Sequence, residues 1–167
     1  DYKKYVIQTF LKEFETELNQ ALSDKFKVRQ FKALKYKDIF SESHSGYRVF
    51  IRDDYHVYIQ SDKIGFDGIH YGLAPLHNGD KDPFKRNMDL TLRDKILKNY
   101  PVAGGFTEAS VVKYESTIRD LSSINDFTKL LPINKKETMS IWIDEVTSLI
   151  KFLITPEYLD DDLKVTQ

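Results

Sequence analysis

The 167-residue chain contains no cysteine, which removes disulfide frameworks, thiolate zinc sites, iron–sulfur clusters and a cysteine nucleophile together. It has no apolar run near the ~20 residues needed to cross a bilayer, and its N-terminus lacks a signal-peptide core. These two absences predict a soluble, cytoplasmic chain with no membrane partner. An excess of one charge is missing too: 25 Lys and Arg stand against 26 Asp and Glu, a net charge of −1. That disfavours a whole-surface nucleic-acid binder, which concentrates Lys and Arg. What is present is the profile of a globular domain, 41% hydrophobic and 31% charged, long enough to bury roughly 70% of its unfolded surface. The expected organisation is a single domain over 1–155 and an acidic tail over 156–167, where Glu157, Asp160, Asp161 and Asp162 fall.

Periodicity orders the elements. Ile7, Phe10, Leu11, Phe14, Leu18 and Leu22 recur at helical spacing and predict a helix over 2–23. Phe26 and Val28 alternate with cations, which predicts a strand over 25–31, with a slip at Phe31. After the polar loop 41–46 a period of two returns. A loop at 52–54 puts Tyr47, Val49, Ile51, Tyr55, Val57 and Ile59 on one face of a hairpin and leaves Arg48, Phe50, His56, Tyr58 and Gln60 on the other. A third strand over 66–73 aligns Ile69, Tyr71 and Leu73, and Gly65, Gly68 and Gly72 signal a bulge or close backbone approach.

Asp82-Pro83 predicts the start of a second helix, with Phe84, Met88, Leu92, Ile96 and Tyr100 along its stripe. Val112, Tyr114, Ser116 and Ile118 predict a further strand, and Ser123 with Asp126 a capped short helix. Asn134 and Glu137 precede a last helix striped by Met139, Trp142, Val146, Leu149, Ile150 and Leu153. The class is α+β: an antiparallel sheet of about four to five strands packed with N-terminal, middle and C-terminal amphipathic helices.

Reactive constellations are thin. His44, His56, His70 and His77 form no HExxH, and no carboxylate adjoins them at ligand spacing. Asp53-Asp54 reads as a turn, and residues 77–82 lack the sixth-position glycine and closing glutamate of a calcium loop. Gly104-Gly105 has neither the GxGxxG frame nor a following Lys-Ser/Thr, and there is no GxSxG. No catalytic residue, metal ligand or cofactor is assigned.

The strongest local feature is the run from Lys25 to Lys37, six basic residues with no acid among them. Lys27, Arg29, Lys32 and Lys35 suit phosphate contacts, and Phe31, Tyr36 and Tyr58, where exposed, suit stacking on bases. The plainer expectation is an amphipathic strand with inward rings and solvated lysines. Arg48, Phe50, His56 and Tyr58 on the hairpin's second face offer a partner-binding surface, unless a helix covers them.

The passage Tyr55-His-Val-Tyr-Ile-Gln-Ser-Asp-Lys-Ile-Gly-Phe-Asp-Gly-Ile-His-Tyr-Gly-Leu-Ala-Pro, then a charged helix and a late Trp-containing helix, resembles the C-terminal region of PD-(D/E)XK-type nuclease-like bacterial proteins. The nuclease chemistry needs an Asp and, on the next strand, Glu or Asp two residues before Lys, so that two carboxylates hold Mg²⁺. The hairpin and third strand lack that arrangement. The resemblance therefore implies a noncatalytic accessory module that follows a nuclease core and binds nucleic acid or a partner. The competing expectations are a protein-interaction or homodimerisation domain, and a metal-dependent hydrolase using His56, His70 and nearby carboxylates.

Overall fold

The computed structural model describes residues 1–52, 54–76, 87–108 and 111–155. Helix α1 (Tyr2–Lys25) starts where the Asp1 carboxylate accepts the Lys3 N–H at 3.0 Å and runs two residues past the expected end. Strands β1 (Ala33–Tyr36), β2 (Gly46–Arg52), β3 (Tyr55–Lys63) and β4 (Asp67–Pro75) follow as an antiparallel meander. After α2 (Leu90–Asn99) come β5 (Phe106–Glu108) and β6 (Val111–Glu115), then the short α3 (Ile124–Phe127), a 3₁₀ turn (Thr128–Leu130) and α4 (Lys135–Leu153). The sheet is six-stranded in the order β1-β2-β3-β4-β6-β5. The α+β class and antiparallel sheet are as expected. The added strands are edge pieces too short to register as periodic patterns.

The hairpin register follows the face pattern. Tyr47 pairs with Ile59 and Val49 with Val57, while a bulge between Phe50 and Arg52 supplies the odd residue before Arg52 meets Tyr55. The same inward faces result, through a bulge rather than a three-residue loop. Two expectations fail. Residues 25–31 form no strand: Phe26 caps α1, with its N–H bonded to Leu22 O, and a turn bonds Arg29 N–H to Phe26 O at 3.1 Å. Phe26 and Phe31 close that turn from both sides, rings 5.4 Å apart at 75°, so their five-residue spacing serves a loop anchor. The second helix begins at Leu90, where the Asp89 carboxylate accepts the Leu92 N–H at 2.8 Å; residues 87–89 are not helical. The Asp82 cap, Phe84 and His77 lie outside the described residues.

One core fills the space between the sheet and the helices. Trp142, fully buried, is ringed by Phe10, Phe14 and Phe66 at 5.2–5.9 Å and donates its indole N–H to Ile118 O at 3.1 Å. The Tyr47 hydroxyl donates to Leu11 O at 3.2 Å and joins sheet to α1. Backbone approaches backbone closely at Gly72, where a Cβ would overlap the Val112 carbonyl and stand 2.8 Å from Tyr58 Oη. The glycine is thus required by the β4–β6 contact.

Candidate functional site

Two places carry polar chemistry: the second face of the sheet with the cleft at its end, and the basic segment beside α1.

On the second face, strand alternation brings Tyr58, Gln60, His70 and Lys113 inward, all buried. The Tyr36 hydroxyl donates to Gln60 Oε1, and Gln60 Nε2 lies 3.2 Å from His70 Nε2. Because the amide nitrogen must donate, His70 accepts at Nε2 and carries its proton on Nδ1, 3.2 Å from Gly68 O and 3.4 Å from Asp62 Oδ1. Burial, then the neighbouring Lys113 ammonium, pulls the His70 pKa down to about 4. The ring is neutral at physiological pH, with both nitrogens engaged.

Lys113 is held by Asp62 Oδ1 at 3.1 Å and Glu108 Oε2 at 2.8 Å. Arg119 pairs with Glu115, and Asp62, Lys113, Glu115 and Arg119 border a cleft of about 310 Å³ lined also by Lys63, Asp67 and Asp120. Lys113 and Arg119 thus lie against carboxylates already, so neither of these two cations stands unpaired. Among the described residues no group of three His, Asp or Glu side chains converges to hold a metal ion. His56 and His70 share the face, as expected, but His56 pairs with Ala74 and His70 with Gln60. That offsets their backbone positions by about 13 Å along the strand, with the Tyr58 ring between the two imidazoles, 5.9 and 5.6 Å from each. They cannot share a ligand.

The hairpin face is not an open surface. His56 and Tyr58 are fully buried, Arg48 and Phe50 half-buried. Neither His56 ring nitrogen has a hydrogen-bond partner, and burial drops its pKa to about 3, with Arg48 adding to the fall.

The basic segment sits differently. Lys27, Arg29, Lys32 and Lys35 are exposed and form no ion pair among the described residues, whereas Lys25, Lys113, Lys129 and Lys135 each meet a carboxylate. The rings expected beside them do not point outward. Phe31 is half-buried on Phe26, Tyr36 is buried with its hydroxyl on Gln60, and Tyr58 is buried. Tyr36 ends β1 on the sheet's second face, where its ring lies against the Arg48 guanidinium and its hydroxyl reaches Gln60. This corrects the stacking role: the segment offers cations without exposed rings from those three positions.

Sequence reasoning missed Asp62, Glu108 and Lys113, which come together from β3, β5 and β6. The available signal was Lys113 itself, a cation set among Val111, Val112 and Tyr114. It also missed Glu145 on α4, whose Oε1 accepts the Ser116 hydroxyl at 2.8 Å while Oε2 is buried without a partner. Burial raises its pKa to about 7 against the opposing pull of the Ser116 hydroxyl and the Thr117 N–H. No family model, curated protein or solved structure matches this chain.

Proposed function

We propose that this domain is a noncatalytic module that binds the phosphate backbone of nucleic acid through Lys27, Arg29, Lys32 and Lys35, as an accessory to a nuclease-like bacterial protein. The observation that carries the reading is that four exposed cations within nine residues form no ion pair among the described residues, Lys35 alone lying in the field of the Asp38 carboxylate. Unneutralised surface charge is what counterion release requires. Without exposed rings, contact is limited to phosphates, so binding carries little sequence preference. The engaged ring of His70 and the paired Lys113 support a noncatalytic role. Docking through Arg48, Phe50, His56 and Tyr58 is less favoured, because two of the four are buried.

The test is the salt dependence of oligonucleotide binding by fluorescence anisotropy. Four phosphate contacts give a slope of log K against log salt near −3 for single strands and about −3.6 for duplex. Replacing Lys27, Arg29, Lys32 and Lys35 by Gln should abolish binding and leave the far-ultraviolet circular dichroism unchanged. Absent or salt-insensitive binding by the parent chain would refute the reading.

A further inference from the structure

We infer that the cleft between α1 and the turn after β1 receives one unstacked base of a single-stranded nucleic acid and favours a base that carries an exocyclic amino group; the inference rests on the phosphate-binding reading above. Helix α1 is flanked on two sides. On one, α4 runs in the same direction, with Lys135 on Glu13 at 2.7 Å and Asp144 on Lys25 at 3.3 Å. On the other, residues 33–40 run in the opposite direction. The Ala33 N–H meets Asn19 Oδ1 at 2.8 Å, Lys35 shares a cleft with Lys12 and Glu15, and the Lys4 ammonium stands 5.0 Å from the centre of the Phe40 ring. The basic run is thereby carried back along the helix, where Lys12 and Lys4 extend it over about 22 Å from the level of Asn19.

The cleft measures about 320 Å³, the lower end of the range for small-ligand pockets. Leu11, Ile39 and Tyr47 are its buried floor, and half-buried Phe40 stands in its wall. The Tyr47 hydroxyl is spent on Leu11 O at 3.2 Å, so the floor is apolar towards a ligand. Asp38 on the rim is committed as well, accepting the Phe40 N–H at 3.1 Å and the Ser41 hydroxyl at 2.8 Å. Lys12 and Lys35 are exposed and form no ion pair among the described residues, and the Glu15 carboxylate is left to meet a donor on the ligand.

A flat ring joined to phosphates fits these parts. The apolar floor and Phe40 take its faces, which any base possesses. Lys12 and Lys35 take the phosphates on either side. Glu15 accepts from an amino group, as it does from cytosine N4; the carbonyl that thymine presents there would set lone pair against lone pair. Phe31, Tyr36 and Tyr58 turn away from solvent, so the stacking role passes to Phe40, a ring beyond the run. A paired base keeps its edge on its partner, and the cleft therefore selects single strands.

The test uses the full chain and two labelled oligothymidylates of about twelve nucleotides, one with a single central cytosine. The cytosine strand should bind about fivefold more tightly in fluorescence anisotropy. In NMR it should shift the amide signals of Leu11, Ile39 and Phe40 and give Overhauser contacts between the Phe40 ring and the cytosine ring protons. Glu15→Gln, whose amide both donates and accepts, should bring the two affinities together while circular dichroism stays unchanged. Equal affinity of the parent chain for the two strands, shifts confined to residues 27–35, or a preference that survives Glu15→Gln overturns the inference and leaves the phosphate reading standing. Binding of neither strand at low salt overturns that reading, and the base cleft with it.

Discussion

Replacing Glu145 by Gln should change the pH dependence of stability in a defined direction. The carboxyl is wedged between α4 and the sheet, with Oε1 on the Ser116 hydroxyl and Oε2 buried without a partner. Its pKa rises from 4.5 to about 7, so the folded state keeps a proton that the unfolded chain has released. A raised folded pKa means stability is fully present below pH 4.5 and is lost as pH climbs through 7. That loss is at most about 3 kcal/mol, and water reaching the partly exposed side chain lowers it. His56 and His70, pulled down to about 3 and about 4, act in the opposite sense. Their contribution is present above pH 6.5 and is lost as pH falls towards those values. The comparison must therefore be Glu145→Gln against the parent at each pH, which cancels the histidines. Gln keeps an acceptor for Ser116 and cannot ionise. Urea unfolding followed by the fluorescence of Trp142, the sole tryptophan and fully buried, reads the stability. The gain from the substitution should grow by about 2 kcal/mol between pH 5 and pH 8. A difference that stays flat to within about 0.5 kcal/mol would refute the reasoning, since that is the ordinary scatter of surface substitutions.

Gly72→Ala should cost about 3 kcal/mol or more, because the new methyl meets the Val112 carbonyl, a backbone atom held in the β4–β6 ladder; the urea midpoint measures it. Lys113→Met strands the Asp62 and Glu108 carboxylates, but at 38% and 53% side-chain exposure they rehydrate. The loss should therefore be about 1–2 kcal/mol, below that of a fully buried pair. The same substitution removes a cation that depresses His70, so the His70 titration followed by NMR should move upward. Asn19→Ala removes the acceptor for the Ala33 N–H, 2.8 Å away. Ala33 lies on an edge strand, so the freed donor should cost about 1 kcal/mol and raise self-association in light scattering.

The parts of the fold that the sequence declares are those whose apolar pattern is continuous. The α1 and α4 stripes bury as written, and Tyr47, Val49, Val57 and Ile59 meet in the register their alternation demands. The Ser123 hydroxyl accepts the Asp126 N–H at 3.2 Å, as the capping pattern implies. Residues 25–31 misled because Phe26 and Phe31 look like members of an alternating series. The slip at Phe31 was the trace of the turn, in which Gln30 adopts φ 53°. In the candidate segment, the exposure of Lys27, Arg29, Lys32 and Lys35 was legible from charge alone. The inward course of Tyr36 was not, because it depends on Gln60, a long-range partner. The Asp62–His70–Lys113 cluster was invisible for the same reason. It joins residues up to 51 positions apart, and nothing local distinguishes a buried cation from a solvated one.

The side-by-side course of the first and last helices has a consequence for how this unit can be joined to others. With Glu13 level with Lys135, the start of α1 and the finish of α4 stand about 45 Å apart at 1.5 Å per residue. A polypeptide that enters at the start of α1 therefore reaches the finish of α4 at the far end of the helix pair. Grafting it into a tight loop of a host protein, where both ends must coincide, would need a connector as long as the domain itself.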